Sequence, residues 1–256
     1  MSALVDLLAL KSSEQDVFVS GVFDSATPNI FGGQLLAQAL MAACKTVIAD
    51  RPPHSMHAYF IAAADSSKPV AIHVNRERDG RSFSSRKLRV VQGDRLVMNA
   101  LASFQDPEPG IDAQRSIPVG TKAPAEPFGF YEHPVSADIQ IVDAAPELPF
   151  AHPPRSWSRC VSEIPDDMAV QACVMTYASD FYTGLVQFTE FPQDAVVTSI
   201  DHAIWFHRPL HMNEWHLMDW TGHSISSGRG HYSGHFYDSS GQMVAGASQE
   251  MVVRRR

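Results

Sequence analysis

One order of elements occurs twice along this chain, and a chain that repeats strand, helix and four strands can fold in few ways. The first set opens with a strand at residues 17–23 and a helix over residues 31–47, "FGGQLLAQALMAACKTV". Strands follow at "SMHAYFIA", "PVAIHVNRE", "SFSSRKLRVV" and "RLVMNALASFQ". The second set opens with a strand at "SWSRCVSEI" and a helix at "DDMAVQACVMTYASDFYTGL", and continues with "VVTSIDHAIWFH", "EWHLMDWTG", "GRGHYSGHFY" and "QMVAGASQEMVV". The strands are short, turn-bounded runs rich in β-branched and aromatic residues, and the helices are long and apolar. Local wording repeats as well: "HAYF" is echoed by "HAIWF" and "ASFQD" by "ASQE", and Phe60 precedes Gln105 by nearly the interval that separates Phe206 from Gln249. Two echoes at matched spacing mark an internal duplication.

Between the sets, residues 106–154 hold more than half of the chain's 17 prolines. Proline fixes φ and removes a ladder donor, so this stretch reads as a long irregular connection between two similar units. The expected division is an N-terminal repeat at 1–106, a Pro-rich connection at 107–154 and a C-terminal repeat at 155–256. A long apolar helix followed by an antiparallel meander packs as a sheet wrapped round its helix, an α+β arrangement.

Composition excludes several classes. Hydrophobic residues make up 45% and charged residues 19% of the chain, as in ordinary globular proteins, and no apolar run reaches the ~20 residues of a membrane helix. The opening "MSALVDLLALKSSEQD" lacks the basic start and the cleavage pattern of a signal peptide and reads as a short amphipathic helix, so a cytoplasmic location is expected. A net charge of −8 argues against a nucleic-acid surface. Cys44, Cys160 and Cys173 have no CxxC spacing, which argues against a disulfide framework and a thiolate metal site. One basic island, Arg76, Arg78, Arg81, Arg86, Lys87 and Arg89, stands out in this acidic chain and suits a small polyanion.

The segment "TSIDHAIWFHRP" carries the strongest local signal. As a strand it points Ser199, Asp201 and Ala203 to one face and Ile200, His202 and Ile204 to the other, setting polar groups among large apolar ones. Gly32 and Gly33 open the first long helix, where unpaired backbone N–H groups at the positive dipole end suit an oxyanion or phosphate, or simply form a tight turn. His202, His207, His211 and His216 recur every four or five residues, but strands scatter such spacing over both faces, and no metal site is expected.

Seven motifs in order, "FGGQLLAQAL", "RDGRSFSSR", "ASFQ", "YASDFY", "TSIDHAIWFHRP", "NEW" and "ASQE", resemble the type II (TesB-like) acyl-CoA thioesterases, whose fold is a double hotdog. The resemblance spans both repeats and is least in the Pro-rich connection. It implies hydrolysis of acyl-CoA to a free acid and coenzyme A, a place in fatty acid metabolism, and a water-holding trio of Asp180, Ser199 and Gln249. Ser199 stands where the family has threonine, and "FIAAAD" replaces an arginine-proline-glycine turn. Asp180 is expected within the second long helix, on one face with Thr176 and Thr183, where apolar surroundings would raise its pKa toward that of a useful base. Gly32 and Gly33 are expected to receive the oxyanion. Arg86 and Lys87 are expected at the coenzyme A phosphates, unless the island's arginines pair with Glu77, Asp79 and Asp94. Gln105 occupies the place of Gln249 in the first repeat, whose helix contains no acid, so one catalytic set per chain is expected. The resemblance implies no cofactor, coenzyme A being part of the substrate. Exposed sheet edges suggest a homodimer or a dimer of dimers. Two alternatives stand beside this reading: a hotdog enoyl-CoA hydratase or dehydratase using His202 beside Asp201, and a noncatalytic acyl-CoA-binding module.

Overall fold

The structure, a computed structural model, describes residues 4–23, 25, 27–115, 138–143, 155–191 and 194–255. Most of the Pro-rich connection lies outside the described residues. The chain opens with a short helix α1 (Leu4–Leu7) and strands β1 (Lys11–Glu14) and β2 (Val17–Val19), then helix α2 (Gly32–Cys44). Strands β3 (Pro53–Phe60), β4 (Ala71–Asp79), β5 (Phe83–Gln92) and β6 (Arg95–Gln105) complete the first repeat. Strand β7 (Ile139–Asp143) lies within the connection that the prolines mark as irregular, and it pairs antiparallel with β8 (Arg155–Cys160). The second repeat continues with α3 (Met168–Ala178), β9 (Ala195–Ser199), β10 (Asp201–Phe206), β11 (His216–Ser226), β12 (Arg229–Tyr237) and β13 (Met243–Arg255).

These strands form one antiparallel sheet in the order β1-β2-β4-β5-β6-β3-β10-β13-β12-β11-β8-β7, with β9 paired to β13. The order β2-β4-β5-β6-β3 meets its counterpart β10-β13-β12-β11-β8 at one seam, so the duplication read from the sequence is a duplication of fold. This is the double hotdog, a sheet curled round two central helices. Register at the seam pairs Asp201 with Tyr59, Ala203 with His57 and Trp205 with Ser55. The pseudo-twofold relating the repeats passes through the Ala203–His57 pair and exchanges Phe60 with Phe206.

The helices are apolar on nearly every side because sheet and partner helix leave little water beside them. In α2 the run from Leu35 to Ala43 is buried without a break. Its one large polar member, Gln38, donates through Nε2 to the Leu7 carbonyl at 2.9 Å, which ties α1 to the core. Leucine, alanine, glutamine and methionine are strong helix formers, so propensity and burial agree over this segment. Helix α3 is started by Asp167, whose carboxylate accepts from the amides of Ala169 and Val170. It ends at Ala178, where the Ser179 hydroxyl donates to the Thr176 carbonyl at 2.8 Å and competes with continued winding. The helix expected through Leu185 is therefore shorter, and Asp180 leaves its end in a turn.

Candidate active site

Asp180 follows the C-cap of α3 and points at the first turn of α2. That end of α2 has no side-chain cap of its own, Phe31 standing at the N-cap position. The Gly33 amide instead lies close enough to the Asp180 carboxylate to favour its charged form, so an acid of one repeat serves the helix N-terminus of the other. The approach is close. A Cβ on Gly32 would lie 2.5 Å from Asp180 Oδ2 and 3.2 Å from the Phe60 ring, so this position takes glycine because of the carboxylate beside it.

Two more side chains complete a closed triangle. Gln249 Nε2 donates to Asp180 Oδ1 at 2.9 Å and to Ser199 Oγ at 2.6 Å, and the Ser199 hydroxyl lies 3.4 Å from the same carboxylate oxygen. The structure brings Asp180, Ser199 and Gln249 together from the end of α3, the end of β9 and the middle of β13. Asp180's side chain is 4% exposed, and Gln249 is 1% exposed. Burial raises the Asp180 pKa above the ordinary aspartate value, opposed by the nearby His202 ring and by hydrogen bonds from Gln249, Gly33 and Ser199. The triangle borders a cleft of about 370 Å3 lined by Gly32, Leu35, Ser199 and the "FIAAA" turn from Phe60 to Ala64. The wall of that cleft is largely apolar, Ser199 is the member of the triangle that lines it, and the Asp180 carboxylate sits beside Gly32, which lines it too.

The strand containing "TSIDHAIWFHRP" is broken at Ile200. The Ile200 amide donates to the Glu250 carbonyl while its own carbonyl accepts from the Phe60 amide, so the residue bridges β13 and β3. The break resets the alternation of faces. Asp201, expected on the face of Ser199, accepts instead from the Glu250 amide at 2.7 Å and is a backbone anchor. His202, expected on the opposite face, reaches the site: its Nδ1 lies 2.5 Å from Gln249 Oε1 and its Nε2 lies 2.9 Å from Ser179 Oγ. Motif reading places neither Ser179 nor His202 in this role. The clue available in sequence was their position immediately beside Asp180 and Asp201.

Several expectations are corrected. Asp180 lies beyond α3 and not within it, so Thr176 and Thr183 do not flank it on one helical face; Thr176 is buried and donates back to the Ala172 carbonyl. The Gly33 amide acts on Asp180 and Gly33 does not line the cleft, which leaves Gly32 at the cleft wall. Arg86 is no phosphate ligand: it is 1% exposed, and its N–H groups go to Thr46, Arg78, Ser85 and Asp79. Lys87, one residue on, is exposed on the outer face of β5 and does not line the cleft. Of the basic island, Arg86 pairs with Asp79, while Arg76 pairs with Asp16.

Register also corrects the pairing of Gln105 with Gln249. The pseudo-twofold that exchanges His57 with Ala203 carries His202 to Met56 and Ser199 to Pro53. Met56 pairs with Ala102, which stands opposite Arg86, as Gln249 stands opposite Tyr232. The counterpart of Gln249 is thus Ala102. The residue one past the C-cap of each helix is Asp180 in one repeat and Thr46 in the other. Among the described residues no three His, Cys, Asp or Glu side chains converge as a metal site would need, and no helix is long and apolar enough to cross a membrane.

The fold is a double hotdog, and it sets a buried carboxylate, held by an amide and a hydroxyl, beside a largely apolar cleft. Comparison with known proteins assigns the family. Residues 131–252 match the family model described as acyl-CoA thioesterase, and residues 20–105 match its N-terminal domain. Acyl-CoA thioesterase 2 of Haemophilus influenzae is 32% identical over 99% of this chain and 98% of its own length. The crystal structure of an acyl-CoA thioesterase II from Mycobacterium marinum superposes with a TM-score of 0.84 at 29% identity, covering 98% of this chain and 97% of that one. A hot dog fold protein from Alicyclobacillus acidocaldarius, 18% identical, shares the fold at a TM-score of 0.82, covering 100% of this chain and 99% of that one. The chain belongs to the acyl-CoA thioesterase family, in its TesB-like type II branch.

Proposed function

We propose that this chain hydrolyses acyl-CoA thioesters to a free carboxylic acid and coenzyme A, with Asp180 as general base. The observation that carries the reading is the buried Asp180 carboxylate, fixed by Gln249 and Ser199 and set beside Gly32 and Ser199, which line a largely apolar cleft. An acyl chain lies against Leu35, Phe60 and the alanines of the turn. A water beside Asp180 Oδ2 and the Ser199 hydroxyl attacks the thioester carbon as Asp180 takes its proton. The Gly32 amide, at the positive end of α2, receives the developing oxyanion. Collapse of the tetrahedral intermediate breaks the carbon–sulfur bond, and the proton on Asp180 passes to the departing sulfur. Gln249 holds the carboxylate in line, since both of its N–H groups are committed to Asp180 and Ser199.

Thiol release from a panel of acyl-CoAs of increasing chain length tests this reading. Wild type is expected to release thiol and Asp180→Asn to release essentially none; equal rates for the two would overturn it. The hydratase alternative needs His202 and Asp201 open to the substrate, whereas both are bound to other protein groups. The noncatalytic module calls for an Asp180 that is exposed or paired away from any cleft, which is not its position.

We further expect a cytoplasmic enzyme that assembles as a homodimer or dimer of dimers. Tyr59 and Leu101 are more than half exposed on the outer face of the central strands, and Trp205 stacks edge-on with His57 beside them. This aromatic patch lies on the seam, where a second copy would cover it. A monomer by light scattering at working concentration would refute the assembly.

A further inference from the structure

The Gln249 amide can face Asp180 in two ways, and only one is useful. With Nε2 toward the carboxylate and Ser199, its two N–H groups meet two acceptors. Flipped by half a turn, Oε1 would face the carboxylate at close range, with a buried repulsion and no donor between them. Nothing in Asp180 or Ser199 alone prevents the flip when Asp180 gains a proton during turnover. The partner on the far side of the amide does. His202 Nδ1 lies 2.5 Å from Gln249 Oε1, and since Oε1 can only accept, Nδ1 must carry the proton. The ring is held in turn by Ser179, whose Oγ lies 2.9 Å from Nε2 and 2.8 Å from the Thr176 carbonyl, its one proton shared between these two acceptors. His202 is 2% exposed and Ser179 fully buried, so water does not compete for these bonds. Ser199 is the member of this group that lines the cleft, and His202 bonds Gln249 and Ser179 rather than Ser199.

We infer that His202, anchored by Ser179, is a positioning residue that fixes the orientation of the Gln249 amide and thereby the alignment of Asp180. The inference rests on the hydrolysis reading. It extends the reacting trio to a chain that runs Ser179, His202, Gln249, Asp180, and it gives His202 no contact with substrate.

A double-mutant cycle in steady-state thiol release tests it. His202→Leu is expected to lower kcat by roughly 10- to 100-fold, the scale of a misplacement near 1 Å, with KM within about threefold of wild type. In the Gln249→Leu background the same change is expected to cost less than about twofold, because its target is gone. His202→Asn, whose side-chain N–H stands in for Nδ1–H, is expected to recover most of the lost kcat. Independent, multiplying losses in the cycle, or a His202→Leu effect confined to KM, would overturn the inference. If His202→Leu does not fold, Ser179→Ala takes its place, with a severalfold loss of kcat that disappears in the Gln249→Leu background. Failure of the underlying reading looks different: wild type itself would release no thiol, or Asp180→Asn would be as active as wild type, and the inference would fall with it.

Discussion

Gly32→Ala isolates the geometry of the base from the stability of the fold. Alanine is the better helix former by about 0.5–1 kcal/mol, so the backbone of α2 gives no reason for glycine at its first position. The reason is the neighbour: a Cβ there would stand 2.5 Å from Asp180 Oδ2, where ordinary contact begins at 3.4 Å. The carboxylate, as the movable partner, must retreat by about 0.9 Å, and a displacement near 1 Å at a reacting group costs on the order of 10²-fold in rate. Its retreat stretches the bonds to Gln249 and Ser199 while leaving most of the apolar cleft wall intact. Steady-state thiol release should therefore show kcat down about 100-fold, KM little changed, and a melting temperature within a few degrees of wild type. Gly33→Ala is the control, because there the new Cβ meets the Tyr177 backbone carbonyl at 2.5 Å, a group that cannot swing aside. That variant should lose about 1–3 kcal/mol of stability as the two helices are forced apart. A Gly32→Ala enzyme with kcat within threefold of wild type would refute the placement of Asp180 as the base.

Four further outcomes are expected. Burial lifts the Asp180 pKa above the ordinary 3.8, and the reaction needs the ionised form, so kcat/KM should fall as pH drops through that raised value; activity holding steady down to 3.8 would contradict it. The same shift has a consequence for stability. Between 3.8 and the raised value the folded chain binds more protons than the unfolded one, so Asp180 costs stability as pH rises through that window, and Asp180→Asn should melt no lower than wild type at neutral pH. Ser199→Thr keeps the hydroxyl beside Gln249 and should stay within a few fold of wild type, whereas Ser199→Ala should lose roughly 10-fold or more in kcat, read by the same thiol assay. Arg86→Met leaves the Thr46 and Arg78 carbonyls short of donors and should lose about 2–3 kcal/mol in urea denaturation with the KM for acyl-CoA unchanged; a raised KM in a stable variant would restore Arg86 as a phosphate ligand.

How far the sequence carries depends on whether a feature is local. The long helices and the meanders were legible because burial imposes period and composition over ten residues at a time, and β6 runs over the same residues as the sequence reading, Arg95–Gln105. The end of α3 was not legible. Apolar residues continue through Phe181 and Tyr182, and what stops the helix is one hydroxyl turning back to the Thr176 carbonyl. The break at Ile200 was equally invisible, since it depends on pairing with Glu250 and Phe60 from distant strands. Without it, a period-two strand sets Ser199 and His202 on opposite faces, yet both contact Gln249. Arg86 and Lys87 show the limit from the other side. Alternation says that neighbours face opposite ways, but which of the two faces inward was settled by Thr46 and Asp79, residues that sequence order does not place beside them.

Duplication offers the chain a second scaffold, and among the described residues only one of the two carries the Asp180, Ser199 and Gln249 set. The pseudo-twofold offers the first repeat the same scaffold, and a cleft of about 410 Å3 survives there between His54, Met168 and Phe206, the counterpart of the cleft at Phe60. Its chemistry is gone: Asp180, Ser199, His202 and Gln249 are answered by Thr46, Pro53, Met56 and Ala102. Tyr232 is answered by Arg86, whose guanidinium occupies the space and bonds Thr46 through Nε. A buried carboxylate without Gln249 and Ser199 to hold it would be costly, and a buried arginine saturated by carbonyls and Asp79 is not. Restoring Thr46→Asp alone would therefore build no second base. The new acid would meet a guanidinium at hydrogen-bond distance, pair with it, and be held ionised as a structural salt bridge with its pKa lowered, the opposite of what burial does to Asp180. That variant should leave thiol release at the wild-type rate, and a doubled rate would show that the scaffold, and not the set of side chains around Asp180, makes the site.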